Sequence, residues 1–133
     1  MANQLYDYGR ELFLAGSISW ANDTIKCALI DTGTYTFSAA HTSITSATAA
    51  FVGTASSAFA GKTVTSGIAD ANDVTINAVS GASIEAIIIY KDGTPGTPMN
   101  AYIDTAASGL PVTPNGGDIT ISWSNGTNKI FKL

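Results

Sequence analysis

The segment Ser83-Ile84-Glu85-Ala86-Ile87-Ile88-Ile89-Tyr90-Lys91 decides the fold. Successive side chains of a strand point to opposite faces, which places Ile84, Ala86, Ile88 and Tyr90 on one side and Ile87 and Ile89 on the other. Both sides are apolar. The segment therefore predicts a central strand covered on both faces, where strict alternation would mark a strand with one wet face. Its shortness, its β-branched content, Gly81 before it and Asp92-Gly93 after it favour a strand over a buried helix. Glu85 breaks the pattern. A carboxylate among apolar neighbours must pair or stay near solvent, and Lys26, Lys62 or Lys129 on adjacent strands are the expected partners.

A chain of 133 residues fits one domain over 1–133, with a helical segment at 1–16 and a β-sandwich at 17–133, and it can fold without metal or disulfide. Cys27 has no second cysteine to pair with and sits inside the apolar run Ile25 to Ile30. That predicts a small buried hydrophobe and a chain made in a reducing cytoplasm. No basic region leads into an apolar one at the N-terminus, and no apolar stretch approaches the roughly 20 residues of a membrane span, so neither export nor membrane insertion is expected. The net charge is −4 and the cations Arg10, Lys26, Lys62, Lys91, Lys129 and Lys132 are scattered, which argues against nucleic acid as a partner. Charged residues make up only 12% of the chain, about half the usual share. Thr, Ser, Ala and Asn take their place. Such a surface fits partial coverage by other protein copies, outward-facing Thr/Ser-rich sheets, or both.

Working outward, Leu5, Tyr8, Leu12 and Ala15 recur at helical spacing with Phe13 beside them and Gly16 placed to stop the element, predicting a short helix from Asn3 to Ala15. Gly9 weakens that helix by ~1 kcal/mol relative to Ala, so it must dock on its own sheet or on a neighbouring subunit. Thr24 to Ile30 reads as the first long strand. Residues 31–50 are rich in Thr, Ser, Ala and Gly and predict a long surface excursion. Phe51 to Phe59 and Lys62 to Ser66 read as weak strands, and Ile68 to Ala71, Val74 to Ala78 and Met99 to Asp104 as further ones. The segments 92–98 and 106–117 are Pro/Gly-rich loops. Their Pro95-x-x-Pro98 and Pro111-x-x-Pro114 spacings are those of turns rather than of recognition motifs.

At the C-terminus, Ile119, Ile121 and Trp123 alternate with Thr120 and Ser122, Asn125-Gly126 carries the type I′ signature, and Thr127 to Leu133 returns. The expected hairpin register sets Ile121 opposite Ile130 and Thr120 opposite Phe131, leaving Phe131 and Leu133 in need of cover. About eight or nine short strands with one helix predict an all-β fold, an antiparallel two-sheet β-sandwich of jelly-roll type with a short N-terminal helix.

No constellation for chemistry emerges. His41 is the only histidine, and no Gly-x-Ser-x-Gly elbow accompanies it, so a catalytic triad is not expected. One His and one Cys cannot build a zinc shell. Asp70-Ala71-Asn72-Asp73 offers oxygen ligands but lacks the spacing of a calcium loop. Glu85, Asp104 and Asp118 would pair for glycoside hydrolysis only if the topology brought two of them together. No Gly-rich loop leads from a strand into a helix to cradle phosphate. Asn22-Asp23-Thr24 and Asn125-Gly126-Thr127 match the glycosylation pattern, which has no meaning without export. Trp20, Trp123, Tyr35 and Tyr102 are the aromatic residues that would stack on sugars if they lay on an exposed face, although Trp123 shares a face with Ile119 and Ile121 and fits the core better.

Two stretches resemble a family of small tailed-bacteriophage virion proteins: Leu5-Tyr6-Asp7-Tyr8-Gly9-Arg10-Glu11 followed by Asn22-Asp23-Thr24-Ile25-Lys26, and Gly109-Leu110-Pro111-Val112-Thr113-Pro114-Asn115-Gly116-Gly117-Asp118-Ile119. Gly67-Ile68-Ala69-Asp70-Ala71 and Ile89-Tyr90-Lys91-Asp92 follow the same pattern. The resemblance implies a non-enzymatic structural component without cofactor, either a capsid cement or decoration protein on the virion surface or a tail or head-tail joining protein. Its implied partners are the major capsid protein and further copies of itself, as a dimer or trimer. Leu5, Tyr8, Leu12, Phe13, Phe131 and Leu133 are the candidate assembly contacts. On this reading, removal of residues 1–15 leaves the β domain folded and weakens assembly. A carbohydrate-binding sandwich is the alternative from a different class.

Overall fold

The computed structural model describes residues 3–93, 96–106 and 108–133. It is mostly β with one short helix. The order is β1 (Gln4–Leu5), α1 (Asp7–Ala15), β2 (Ile25–Ile30), two single turns of 3₁₀ helix (Ile44–Ser46, Thr48–Ala50), β3 (Thr63–Thr65), β4 (Ile68–Asp70), β5 (Val74–Ile76), β6 (Ala86–Lys91), β7 (Met99–Ile103), β8 (Ile119–Ile121) and β9 (Phe131–Lys132). Among the described residues all strand pairings are antiparallel, and the strands form three sheets in the orders β1-β7-β6-β2, β3-β4-β9 and β5-β8.

β6 is central, as its two apolar faces predict. It pairs with β2 over six residues, Ala86 to Lys91 against Ile30 to Ile25, and with β7 on its other edge. Ile87 and Ile89 join Ile25, Cys27, Leu29 and Ala101 in one buried cluster, while Ala86, Ile88 and Tyr90 join Ala28, Ile30, Met99 and Tyr102 in a second cluster on the opposite face. Ile84 departs from the expected parity. It belongs to the cluster of Ile87 and Ile89, because regular pairing begins only at Ala86 and Ile84 is instead bridged to Val112. Glu85 also has different partners from those expected. Its carboxylate accepts from the Thr32 N–H and hydroxyl, both at 3.0 Å, and from the Ser83 hydroxyl. Lys26 pairs with Asp92 at 2.9 Å, Lys129 lies 3.9 Å from Asp70, and Lys62 donates to the Asp23 carbonyl.

A bulge in β7 lets both clusters form. Ile89 pairs with Ala101 but Tyr90 pairs with Met99, so Asn100 is the extra residue. Without it Met99 and Ala101 would share a face; with it Met99 turns to the second cluster and Ala101 to the first. The edges of this sheet are covered. On the β7 side, β1 pairs at Ala101 and Tyr102, the Tyr6 N–H donates to Asn100 O at 3.1 Å, and α1 then runs past Met99 and Asn100. On the β2 side, the segment 52–59 donates from Val52, Ser56 and Phe59 to Leu29, Cys27 and Ile25. That segment is irregular rather than a strand, and the Ser56 hydroxyl accepts the Cys27 N–H at 3.0 Å in place of a ladder bond.

α1 begins at Asp7, four residues later than the apolar spacing predicts, since Gln4 and Leu5 are used as strand. Gly16 ends it with φ 78°, as expected of a left-handed cap. Its inward stripe is Gly9, Leu12 and Phe13; Tyr8 and Ala15 face outward. The helix docks on its own chain, with Phe13 against Phe131 at 5.8 Å. From there rings follow one another through Trp20, Phe59 and Trp123 at 5.2, 6.0 and 5.3 Å, joining α1, β9 and the end of β8 to the first cluster. Over the opposite face lie residues 31–51, whose Tyr35, Ile44, Ala47 and Ala50 are buried there together with Tyr6.

The C-terminal hairpin does not form. β8 pairs with β5, setting Ile121 opposite Val74, and β9 pairs with β4, setting Phe131 opposite Ala69. The Trp123 N–H donates to Asp73 Oδ1 at 3.0 Å and its indole N–H to Asn72 O at 3.1 Å, which ties the end of β8 to the turn before β5. Lys129, at φ 49°, then redirects the chain toward β4. The turn preference of Asn125-Gly126 is local and weak beside two tertiary partners that help bury Ile121, Trp123 and Phe131.

Candidate functional site

The candidate assembly contacts separate into two groups. Leu5, Leu12, Phe13 and Phe131 are half-buried against the first cluster of the chain's own core. Tyr8 and Leu133 remain outside it at 36% and 57% exposure, and they are joined by Val64 at 56% and Leu14 at 87%. Leu14 was missed by the periodicity argument. Two positions beyond Leu12 it points to roughly the opposite side of the helix, and an apolar residue there was the available signal. Val64 occupies β3, whose three residues are all exposed.

The four aromatic candidates for sugar stacking are not available for it. Trp20, Tyr35 and Tyr102 are 3–4% exposed and Trp123 is 8% exposed. Each indole N–H is committed to a backbone carbonyl, Trp20 to Asp70 and Trp123 to Asn72.

The carboxylates weighed for hydrolysis are engaged separately. Asp118 accepts the Ala78 N–H at 3.0 Å, Glu85 holds the Thr32 turn, and Asp104 lies beside Asn3, whose side chain accepts the Asp104 and Thr105 N–H groups. Hydrogen bonds from Ser83 and then Thr32 hold the Glu85 carboxyl below its usual range, which suits a structural acceptor rather than a proton donor. In the 70–73 turn, Asp70 faces Lys129 and Asp73 receives Trp123, and among the described residues no group of three or more His, Cys, Asp or Glu is placed to hold a metal ion. Pro95 lies outside the described residues. No described helix is long and apolar enough to cross a membrane.

A cleft of about 730 Å³ opens between the end of β7, β8 and the 124–130 segment, floored by Ile87, Ile103 and Ile121 and rimmed by Thr105, Ser122 and Asn128. Among the described residues lining it, Lys129 is the charged one. The Lys129 ammonium with these hydroxyls and amides can bind, but the described lining offers no acid–base pair.

His41 is drawn into a hydrogen-bonded chain. Its Nδ1 lies 2.8 Å from the Tyr35 hydroxyl, which lies 2.9 Å from the fully buried Tyr6 hydroxyl. Burial pushes both phenols upward from their ordinary pKa. Sequence reading could not join these residues, because Tyr6 and Tyr35 are 29 positions apart.

No protein-family model matches the chain, and no curated protein sequence matches it.

Proposed function

We propose that this chain is a non-enzymatic structural protein of a tailed-phage virion, a cement or decoration protein that binds the outside of the major capsid shell. The finer architecture we read as a jelly-roll-like sandwich, with the four-stranded sheet as one layer and the two smaller sheets as the other. One observation carries the functional reading: a chain that covers both faces and both edges of its main sheet leaves Leu14, Leu133 and Val64 more than half exposed. Burying such residues against a partner removes apolar area from water at about 25 cal/mol per Å². The sparse charge, 12% of residues, lowers the desolvation cost of that contact. The resemblance of the two chain ends to phage virion proteins supplies the partner class, and many copies on a symmetric shell would add modest site energies into substantial reinforcement. A dimer or trimer is the expected form of self-association.

The test is co-sedimentation of the purified protein with empty shells of a candidate phage's major capsid protein. Saturable pelleting at a fixed ratio to capsid subunits, reduced at least tenfold in affinity by Leu14→Asp, is expected. That variant should retain wild-type thermal stability, since exposed substitutions usually change it by less than about 0.5 kcal/mol. Folded protein that stays in the supernatant at every concentration excludes cement on that shell and favours a tail or head-tail joining ring.

A further inference from the structure

We propose that the Tyr6–Tyr35–His41 chain is an acid-sensitive latch holding the strap of residues 31–51 over the main sheet. Tyr6 belongs to the segment joining β1 to α1, while Tyr35 and His41 belong to the strap, so the two hydrogen bonds of 2.9 and 2.8 Å link the sheet edge to its cover. The ring of Tyr35 also packs on His41 at 5.4 Å and on Tyr102 of β7 at 6.3 Å. Tyr6 is fully buried, and its hydroxyl has Tyr35 as its hydrogen-bonding partner.

The direction of the chain follows from who can donate. With Nδ1 of His41 unprotonated, Tyr35 donates to it, Tyr6 donates to Tyr35, and each phenolic proton has an acceptor. An imidazolium carries N–H on both nitrogens. Nδ1 then donates to Tyr35, Tyr35 must turn its proton to Tyr6, and the Tyr6 proton is left without an acceptor among the described residues in a site closed to water. The alternative is for partly buried His41 to swing outward, which also breaks the link. Neither phenol ionises to neutralise the cation, because burial raises both. The charged groups around the chain give His41 no ion pair among the described residues. Asp7 of α1 meets the strap through its N–H to Ala39 O, Asp31 caps the turn that carries Tyr35, and the charges of Asp104 and Glu85 are felt at Tyr102 behind it.

Acid therefore loosens the strap before it unfolds the sheet. An unsatisfied buried hydroxyl corresponds to between about fivefold and about a hundredfold in an opening equilibrium. Amide exchange of the full chain, corrected for intrinsic rates, reads this directly. Going from about pH 7.5 to about pH 5.5, protection over residues 35–44 should fall by that factor while protection of β6 holds. Tyr35→Phe removes the hydroxyl that must accept from the imidazolium and pass its own proton on, and should flatten the change; His41→Gln, which cannot acquire the charge, should flatten it as well. Should Tyr35→Phe fail to fold, His41→Gln alone decides. Strap protection that is independent of pH in the unaltered chain, or that falls equally in the folded variants, overturns the latch.

Discussion

Gly9 of α1 lies directly against the backbone of Met99: a Cβ at that position would stand 2.6 Å from the Met99 carbonyl oxygen and 3.1 Å from Asn100 Cα. The helix approaches the edge of β7 closely because it has no side chain there, and that approach covers carbonyls that would otherwise face solvent or another strand. Helix propensity alone favours alanine by about 1 kcal/mol. The close backbone contact opposes it, so Gly9→Ala should lower stability by about 1–3 kcal/mol, the range for overpacking a tight site. A urea titration at neutral pH that finds the variant equal to or more stable than the original chain would show that the helix can lift without loss.

Removal of residues 1–15, expected from sequence to spare the β domain, instead takes away fully buried Tyr6 and the cover that Leu12 and Phe13 give to the first cluster. The helix belongs to the fold.

Asn100 is fully buried in the β7 bulge, and among the described residues neither its amide nitrogen nor its amide oxygen has a hydrogen-bond partner. Each unmet group carries a desolvation cost of about 1–3 kcal/mol. Asn100→Ala removes both groups and leaves the bulge backbone in place, so it should be neutral or should stabilise by about 1 kcal/mol after the small cavity is counted. A melting temperature several degrees lower than that of the original chain would mean that the amide is held by contacts of its own.

Three carboxyls set the acid limb of stability. A backbone hydrogen bond from Ser19 and the Lys91 ammonium at 3.1 Å lower Asp23, the Ser83 and Thr32 donors lower Glu85, and the Lys26 ammonium lowers Asp92. Because their pKa values are lower in the folded chain than in the unfolded one, the stability they contribute is complete above the unfolded values of about 4 and is lost as pH falls through the folded values. Denaturant midpoints should therefore fall between about pH 5 and about pH 2. Glu85→Gln should make that limb shallower while leaving the strap response near neutral pH untouched.

Cys27 is wholly buried in β2, and burial pushes its thiol up to about 12. The thiolate is the reactive form. An aromatic disulfide reagent should leave the native chain unmodified at pH 8 over hours and titrate one thiol once denaturant is added. Rapid labelling of the folded protein would show that the β2 edge opens beneath residues 52–59.

The signals that proved legible were those carried by neighbouring residues. The β-branched run at Ile87 to Ile89 required cover on both faces, Ile25 to Ile30 read as a long strand and Cys27 as a buried residue, and Gly16 stopped the helix. Each depends on side-chain period or on a single residue's backbone preference, and both are written locally. Tertiary structure decided where a local preference met a competing partner. Asn125-Gly126 favours a hairpin by a small margin, yet β8 and β9 pair with β5 and β4, where Ile121 and Phe131 gain cover. The bulge at Asn100 reversed the parity of β7, and the late start of α1 made Gly9 rather than Tyr8 the inward residue, leaving Leu14 outside. The Tyr6–Tyr35–His41 chain exists only because the strap folds back across the sheet. Periodicity tells a segment which of its faces is apolar; which partner buries that face is settled by packing between residues far apart in the chain.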